Sequence, residues 1–286
     1  MVLGHLGVWS THFWADRQAV RVAASELEQL GYGTLWFPNG PGIVDLANDM
    51  LDATQRITVA SGIASIWTHP AEQMARDLHV LDERHPSRFL LGLGVSHPHL
   101  VNKEEASRYK RPVEHMLAYL DQLDAAPTPI PRERRVLAAL GPRMLSIARE
   151  RSAGAHPYLT TPEHTRRARE VLGEGPILAP EQAVVLETDP EQARRIARAH
   201  LARYLQAVNY VHNWLRLGFT HEDIANGGSD RLVDALVAWG TVEDIQERIE
   251  AHFRVGASHV AIQALSADPA AMPWDAWRAL APVPMS

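Results

Sequence analysis

The sequence predicts an α/β fold of the TIM (β/α)8 type, and three observations predict it. Eight short apolar runs recur along the 286 residues, each apolar on both faces, as a parallel sheet covered by helices requires. Segments with apolar residues at helical spacing separate the runs. Eight such units in about this length suit a barrel better than an open doubly wound sheet.

The first run, HLGVW at 5–9, leads into a helix over about 16–30 in which Val20, Ala23, Ala24, Leu27 and Leu30 share one face. Gly31 closes that helix and Gly33 opens TLWFP at 34–38. A helix over 46–53 precedes ITVASGIASIW at 57–67, whose β-branched residues favour a strand. Another over 70–83 leads to RFLLGLGV at 88–95. Pro112 to Leu123 carries Met116, Leu117, Leu120 and Leu123 at helical spacing, and PTPIP at 127–131 is a loop before RVLAAL at 135–140. Pro142 suits the first turn of a helix over 142–152. GAHPYL at 154–159 follows, then a helix that starts at Thr161 and Pro162 and stops at Gly173. ILAPEQAVVLE at 177–187 is the seventh run. From Pro190 to Trp239 the pattern is helical without an evident strand; a helix over 241–256 and HVAIQAL at 259–265 then restore the rhythm. The chain reads as one domain, 1–286, with a helical insertion over about 190–239 after the seventh strand.

Hydrophobic content of 46% with 22% charged residues supports a large core. The absence of cysteine rules out disulfides and thiolate metal sites. Lys and Arg number 28 against 34 Asp and Glu, a net charge of −6, which argues against nonspecific nucleic-acid binding. An anionic ligand must therefore find local positive charge or backbone N–H groups. The opening MVLGHLGVWSTHFW lacks a basic segment followed by a long apolar run. No stretch approaches the roughly 20 apolar residues that span a bilayer. The expectation is a cytoplasmic protein with no membrane segment.

SRFLLGLGVSHPHL, residues 87–100, is the stretch most marked for chemistry. Its GxG resembles the start of a dinucleotide fingerprint, but His97 stands where the third glycine belongs. His97 and His99 lack the carboxylate or histidine neighbours that would complete a metal site. The remaining reading is a barrel strand with small Gly92 and Gly94 on one face, ending in Ser96 and His97 where barrel enzymes place their chemistry. The plainer alternative is a histidine that only hydrogen-bonds a loop. ALGPRM, 139–144, sets Gly141, Pro142 and Arg143 at a helix N-terminus, an arrangement that binds phosphate or is an ordinary turn. Arg132, Arg134 and Arg135 add positive charge nearby in sequence. Gly62, Ala64 and Ser65 make another strand end small-lined, which allows a bulge; from these residues alone a strand end that simply turns is the first reading. His156 also lies at a strand end and reads as structural or catalytic. Tyr204, Tyr210, Trp214 and Phe219 in the insertion, at near-helical spacing, read as core packing ahead of substrate contact.

LGLGVSH, ALGPRMLSIARERSAGAHPYLTTPEHTRRAREVLG and LVDALVAWGTVEDIQERIEAHFRVGASHVAIQAL together resemble the luciferase-like oxidoreductases of the bacterial luciferase superfamily, above all the coenzyme F420-dependent subgroup. The resemblance implies a hydride transfer between the deazaflavin C5 and a small organic substrate. An FMN-dependent monooxygenase using reduced flavin and oxygen, with a flavin reductase partner, is the alternative; a catalytically silent cofactor-binding barrel is a third reading. It further implies that Gly62 and Ile63 form a bulge with a non-prolyl cis peptide behind the cofactor ring. Asn39, Ser65, Ser96 and His97 would line the ring pocket, Gly141, Pro142, Arg143 and Met144 would meet the phosphate, and the chain would form a homodimer. Many F420 enzymes carry a histidine or acid where this chain has Asn39, and some relatives carry an acid near strand one where it has Ser10, Thr11 and His12. The remaining proton-donor candidates are His97, His156 and His12, in that order.

Overall fold

The computed structural model describes residues 2–101 and 109–282, apart from the side chains at 99 and 100. The strands are β1 (Leu6–Trp9), β2 (Thr34–Phe37), β3 (Thr58–Ser61), β4 (Ala64–Ser65), β5 (Phe89–Gly94), β6 (Arg135–Leu137), β7 (Gly154–Ala155), β8 (Ile177–Leu178), β9 (Glu181–Val185), β10 (Val237–Trp239) and β11 (Val260–Ala264). The helices are α1 (Arg17–Gln29), α2 (Ile43–Asp52), α3 (Ala71–Arg84), α4 (Pro98–Val101), α5 (Pro112–Asp124), α6 (Pro142–Arg151), α7 (Pro162–Leu172), α8 (Pro190–Leu201), α9 (Val208–Arg216), α10 (His221–Ile224), α11 (Asp230–Leu236), α12 (Val242–Arg254) and α13 (Trp274–Ala279).

Every strand pair is parallel, in the order β10-β9-β11-β1-β2-β3-β5-β6-β7-β8, with β4 also beside β5. Side-chain alternation divides the strand residues between two cores. Val8, Leu35, Phe37, Val59, Leu91, Leu137 and Ile262 pack beneath the helices. Trp36, Ala60, Leu90, Val136, Ala179 and Ala261 form a separate cluster on the other face, where one large ring fits among small residues. This is a curled parallel sheet with an interior and an exterior core. β8 and β9 are two halves of one run, parted at Ala179 and Pro180; the first half pairs with β7 and the second with β11.

Two expected strands differ in form. The run at 57–67 is broken into β3 and β4. Val59 pairs with Phe89 and Ala64 with Leu93, so five steps along one strand match four along its neighbour, the signature of a bulge. The Gly62–Ile63 peptide inside it is cis. Gly92 permits the close approach: a β-carbon there would lie 1.9 Å from the Ser61 carbonyl oxygen. The segment expected to be wholly helical ends in β10, which continues directly from α11 and pairs with β9. Three apolar residues after a helix carry too little periodicity to announce a strand. Among the described residues no helix is long and apolar enough to cross a membrane.

Candidate functional site

The carboxyl ends of β3, β5 and β6 build one surface. The strands beneath are fully buried, whereas Gly62, Ile63, Val95, Ser96, His97, Ala138, Leu140 and Gly141 remain partly exposed. Ile63 lies along this surface beside Gly94, where a β-carbon would come 2.6 Å from Ile63 Cδ1 and 3.2 Å from Ala138 Cβ. Only small groups therefore flank the Ile63 side chain, which leaves a flat, mainly apolar floor. Ser96 adopts φ 56°, in the left-handed region, and its carbonyl accepts a 3.5 Å bond from Tyr109. His97 is half-buried; its Nδ1 lies 3.1 Å from Asn209 Oδ1, so Nδ1 carries the proton in that contact. Its ring centroid is 5.4 Å from that of Tyr210.

Asn39 and Ser65 take a different part. Asn39 Oδ1 accepts from the Ser65 N–H at 2.8 Å and sits 3.0 Å from His69 Nε2, tying the end of β2 to the far side of the bulge. Ser65 is buried, and its hydroxyl accepts from the Trp67 N–H at 3.4 Å. Both hold the bulge in place. Polar residues next to a glycine pair do not reveal in sequence whether they face a pocket or hold its wall.

His156 lies beneath the floor. It is fully buried, stacks on Trp36 at 4.1 Å, and donates from Nδ1 to the Ala179 carbonyl at 2.7 Å. Nε2 is buried without a partner among the described residues, and a β-carbon on Gly62 would approach it to 3.0 Å. Burial lowers the His156 pKa to about 4, so the ring is neutral. Trp9 completes this wall, donating from Nε1 to the Gly62 carbonyl at 2.9 Å and packing 5.1 Å from Tyr158. Tyr158 donates to Gln263 Oε1 at 2.7 Å and accepts from Tyr204 at 3.1 Å. Glu181 lies close enough to these phenols to raise their pKa values further, after burial itself. Its carboxyl has no ionic partner among the described residues, and burial pushes its pKa up to about 8. Sequence reasoning missed Tyr158, Gln263 and Glu181. The one signal available was a charged residue inside the apolar run ILAPEQAVVLE.

At the opposite side of the floor Gly141 caps α6, with Pro142, Arg143 and Met144 in the first turn. Arg143 is exposed and Met144 buried. α9 packs here through Trp214 Nε1 and the Leu159 carbonyl at 3.3 Å, and brings in Arg216, whose Nη2 would lie 3.5 Å from a β-carbon on Gly141. Neither Arg143 nor Arg216 forms an ion pair among the described residues; Arg216 donates only to Asn213 Oδ1, at 3.3 Å. The positive charge of Arg132, Arg134 and Arg135 does not reach this surface. They flank the amino end of β6, away from this surface, and pair with Glu133, Asp82 and Asp124 respectively. Charge clustered in sequence before a strand lies at its wrong end for a carboxyl-edge site.

His12 follows β1, with Nδ1 3.0 Å from Ser10 Oγ and Nε2 3.2 Å from the Pro269 carbonyl; burial lowers its pKa. It borders a cavity of about 570 Å³ at the carboxyl ends of β1 and β11. Of the insertion aromatics, Tyr210 and Trp214 are core, as the spacing implies, while Tyr204 reaches Tyr158. The side chain of His99 lies outside the described residues.

The geometry can seat a flat ring on Ile63, Gly94 and Ala138, an anion at α6, and a small molecule beside β1 and β11. Comparison with curated proteins returns no match. The chain superposes on an F420-dependent secondary alcohol dehydrogenase in complex with an F420–acetone adduct (TM-score 0.73, 11% identity, 97% of this chain and 96% of that one). It likewise matches a coenzyme F420-dependent tetrahydromethanopterin reductase from Methanopyrus kandleri (0.74, 15% identity, 97% of both chains). A third match is the oxygenating constituent of 3,6-diketocamphane monooxygenase from the CAM plasmid of Pseudomonas putida, with FMN (0.68, 15% identity, 97% and 96%). These identities speak for the fold alone. The sequence profile of the luciferase-like monooxygenases matches residues 3–259. The chain belongs to the luciferase-like monooxygenase family and is an oxidoreductase.

Proposed function

We propose that the protein is a coenzyme F420-dependent oxidoreductase acting on a small organic substrate, with its site on the carboxyl edge of a closed (β/α)8 barrel. The observation that carries the reading is the floor of Ile63, Gly94 and Ala138, which ends at an α6 N-terminus bordered by two arginines that have no acid partner among the described residues. A planar ring needs the first and its phosphate the second. The same residues fit FMN, which the third structural relative holds; the sequence resemblance favours the deazaflavin. The pairing of 177–185 with β7 on one flank and β11 on the other supports closure. The helices over 190–236, between β9 and β10, are then the insertion.

Bound on this floor, the cofactor supplies the hydride chemistry. The chain's residues do the rest: Gly62, Ile63 and Ser96 support the ring, and Gly141, Pro142, Arg143 and Met144 hold the phosphate end, with Arg216 added. His97, oriented by Asn209, holds or moves a proton. His156 lies sealed under the floor and His12 beside the neighbouring cavity, so both rank behind it as proton carriers. The reading carries with it one domain, a cytoplasmic homodimer and, for the FMN alternative only, a separate flavin reductase. The test follows the visible absorbance of F420 during anaerobic incubation with alcohols, and of reduced F420 with ketones and enones. Turnover that His97→Ala loses while cofactor binding persists is expected. Oxygen-dependent turnover with reduced FMN and none with F420 contradicts it.

A further inference from the structure

We propose that the 570 Å³ cavity beside β1 and β11 binds a small organic oxyanion, a carboxylate or a phosphate monoester, through Arg195 and Arg203. The proposal rests on the functional reading above and narrows its substrate to an anion. Cavities of a few hundred cubic ångströms suit metabolite-sized ligands.

The arginines near α8 fall into two sets. Arg194 and Arg198 face α11 and are held by Asp230 and Asp234. Arg195 and Arg203 face the cavity, on the stripe that runs through Ala199 at steps of four residues. Neither forms an ion pair among the described residues. Arg195 donates to Gln192 Oε1, and the Arg203 guanidinium lies 4.7 Å from the Tyr204 ring centroid and hydrogen-bonds the Tyr204 and Tyr158 side chains, neutral partners that hold it without cancelling its charge. Among the described residues no Asp or Glu side chain lines the cavity; Asp268 lies near His12, outside the lining. The remaining polar lining is Ser10, Thr11, His12, His200, Gln263 and Ser266, all uncharged when both histidines are neutral; burial lowers the pKa of each.

In a protein of net charge −6, a cavity with two guanidinium groups and, among the described residues, no acid beside them is a local inversion of sign. Planar guanidinium forks match carboxylate and phosphate oxygens, and Ala199 between them leaves room for the anion. The cavity also adjoins the proposed ring floor. Gln263 on its wall holds Tyr158, Tyr158 packs on Trp9, and Trp9 bonds the Gly62 carbonyl. One layer of aromatic side chains is thus shared by the cavity wall and the floor.

The test uses isothermal titration of the full chain with succinate, glycerol 3-phosphate and their uncharged counterparts succinamide and glycerol. The result expected is saturable binding of an anion and none of its uncharged counterpart. It is expected to weaken about tenfold or more in Arg195→Gln/Arg203→Gln and to hold in Arg198→Gln, whose charge faces α11. The tighter of the two anions decides between carboxylate and phosphate. Equal binding of the uncharged compounds, an unchanged double variant, or no binding of either anion overturns the proposal. F420 and FMN titrations on the same samples separate the two readings. Cofactor binding without anion binding removes the oxyanion pocket alone, and anion binding without cofactor binding removes the cofactor reading alone.

Discussion

Replacing Glu181 by glutamine removes a pH-dependent cost to folding. The carboxyl is fully buried; Oε2 accepts from the Leu159 N–H at 3.0 Å, and Oε1 has no partner among the described residues. Burial places its folded pKa at about 8, against roughly 4.3 in an unfolded chain. Between these values the folded protein keeps a proton that the unfolded chain releases. The site's stability is therefore intact below about pH 4, falls as pH rises, and stops falling above about pH 8. At about 1.36 kcal/mol per pH unit, the interval from pH 5 to 7 removes roughly 3 kcal/mol. Glutamine keeps the shape, can accept from Leu159, and does not titrate. Urea denaturation of both proteins across about pH 5 to 8.5, followed by tryptophan fluorescence, reads the difference. The advantage of Glu181→Gln is expected to grow by roughly 3 kcal/mol between pH 5 and 7 and to level off above about 8. A difference that does not change with pH would show that Glu181 is solvated as in water and refute the reasoning.

The buried histidines act with the opposite sign. Burial lowers His156, His164 and His259 to about 4 and His200 and His252 to about 3, so each is neutral when folded. Their contribution is present above about pH 6.5 and lost as pH falls, roughly 1.4 kcal/mol each by pH 5.5. Acid unfolding, read by circular dichroism, is expected between about pH 5 and 6, and a native spectrum at pH 4.5 contradicts it. Gly92→Ala drives a β-carbon into the Ser61 carbonyl and should cost about 3 kcal/mol or prevent folding, as thermal melts would show. Gly94→Ala meets the Ile63 side chain first, at Cδ1 and Cγ1, and Ala138 Cβ at 3.2 Å; Ile63 can swing away, so the melting temperature should fall only slightly while cofactor affinity drops about tenfold, because Ile63 is pushed into the floor. Arg216→Gln should weaken cofactor binding by about 1.5–3 kcal/mol and flatten its salt dependence, with equal affinity contradicting a phosphate role.

The strand–helix alternation was legible because each element is short, buried on both faces and punctuated. Gly31 and Gly33, the Thr161–Pro162 start and the Gly173 stop all fall where the structure turns. The bulge was foreshadowed by Gly62 and Ala64, yet its register needed Gly92 on the neighbouring strand, a contact no local pattern encodes. Within the candidate site, strand-end residues are marked in the sequence and those arriving from elsewhere are not. Gly141 and Arg143 announce themselves beside a helix start, but Arg216 reaches the same place from α9, a long way along the chain. The bond between Ser65 N–H and Asn39 Oδ1, which joins the end of β2 to the bulge, could not be read from either residue's type. Arg132, Arg134 and Arg135 failed for direction: residues before a parallel strand lie at the opposite edge from its carboxyl end.

The central claim is that a flat cofactor with a phosphate end sits on Ile63, Gly94 and Ala138. Titration of the purified protein with F420 and, separately, with FMN, followed by tryptophan quenching and cofactor fluorescence, tests it most directly. The account predicts saturable binding of F420, a much weaker response to FMN, and loss of F420 binding in Arg143→Gln/Arg216→Gln. Saturation by neither compound contradicts the floor and the phosphate end together.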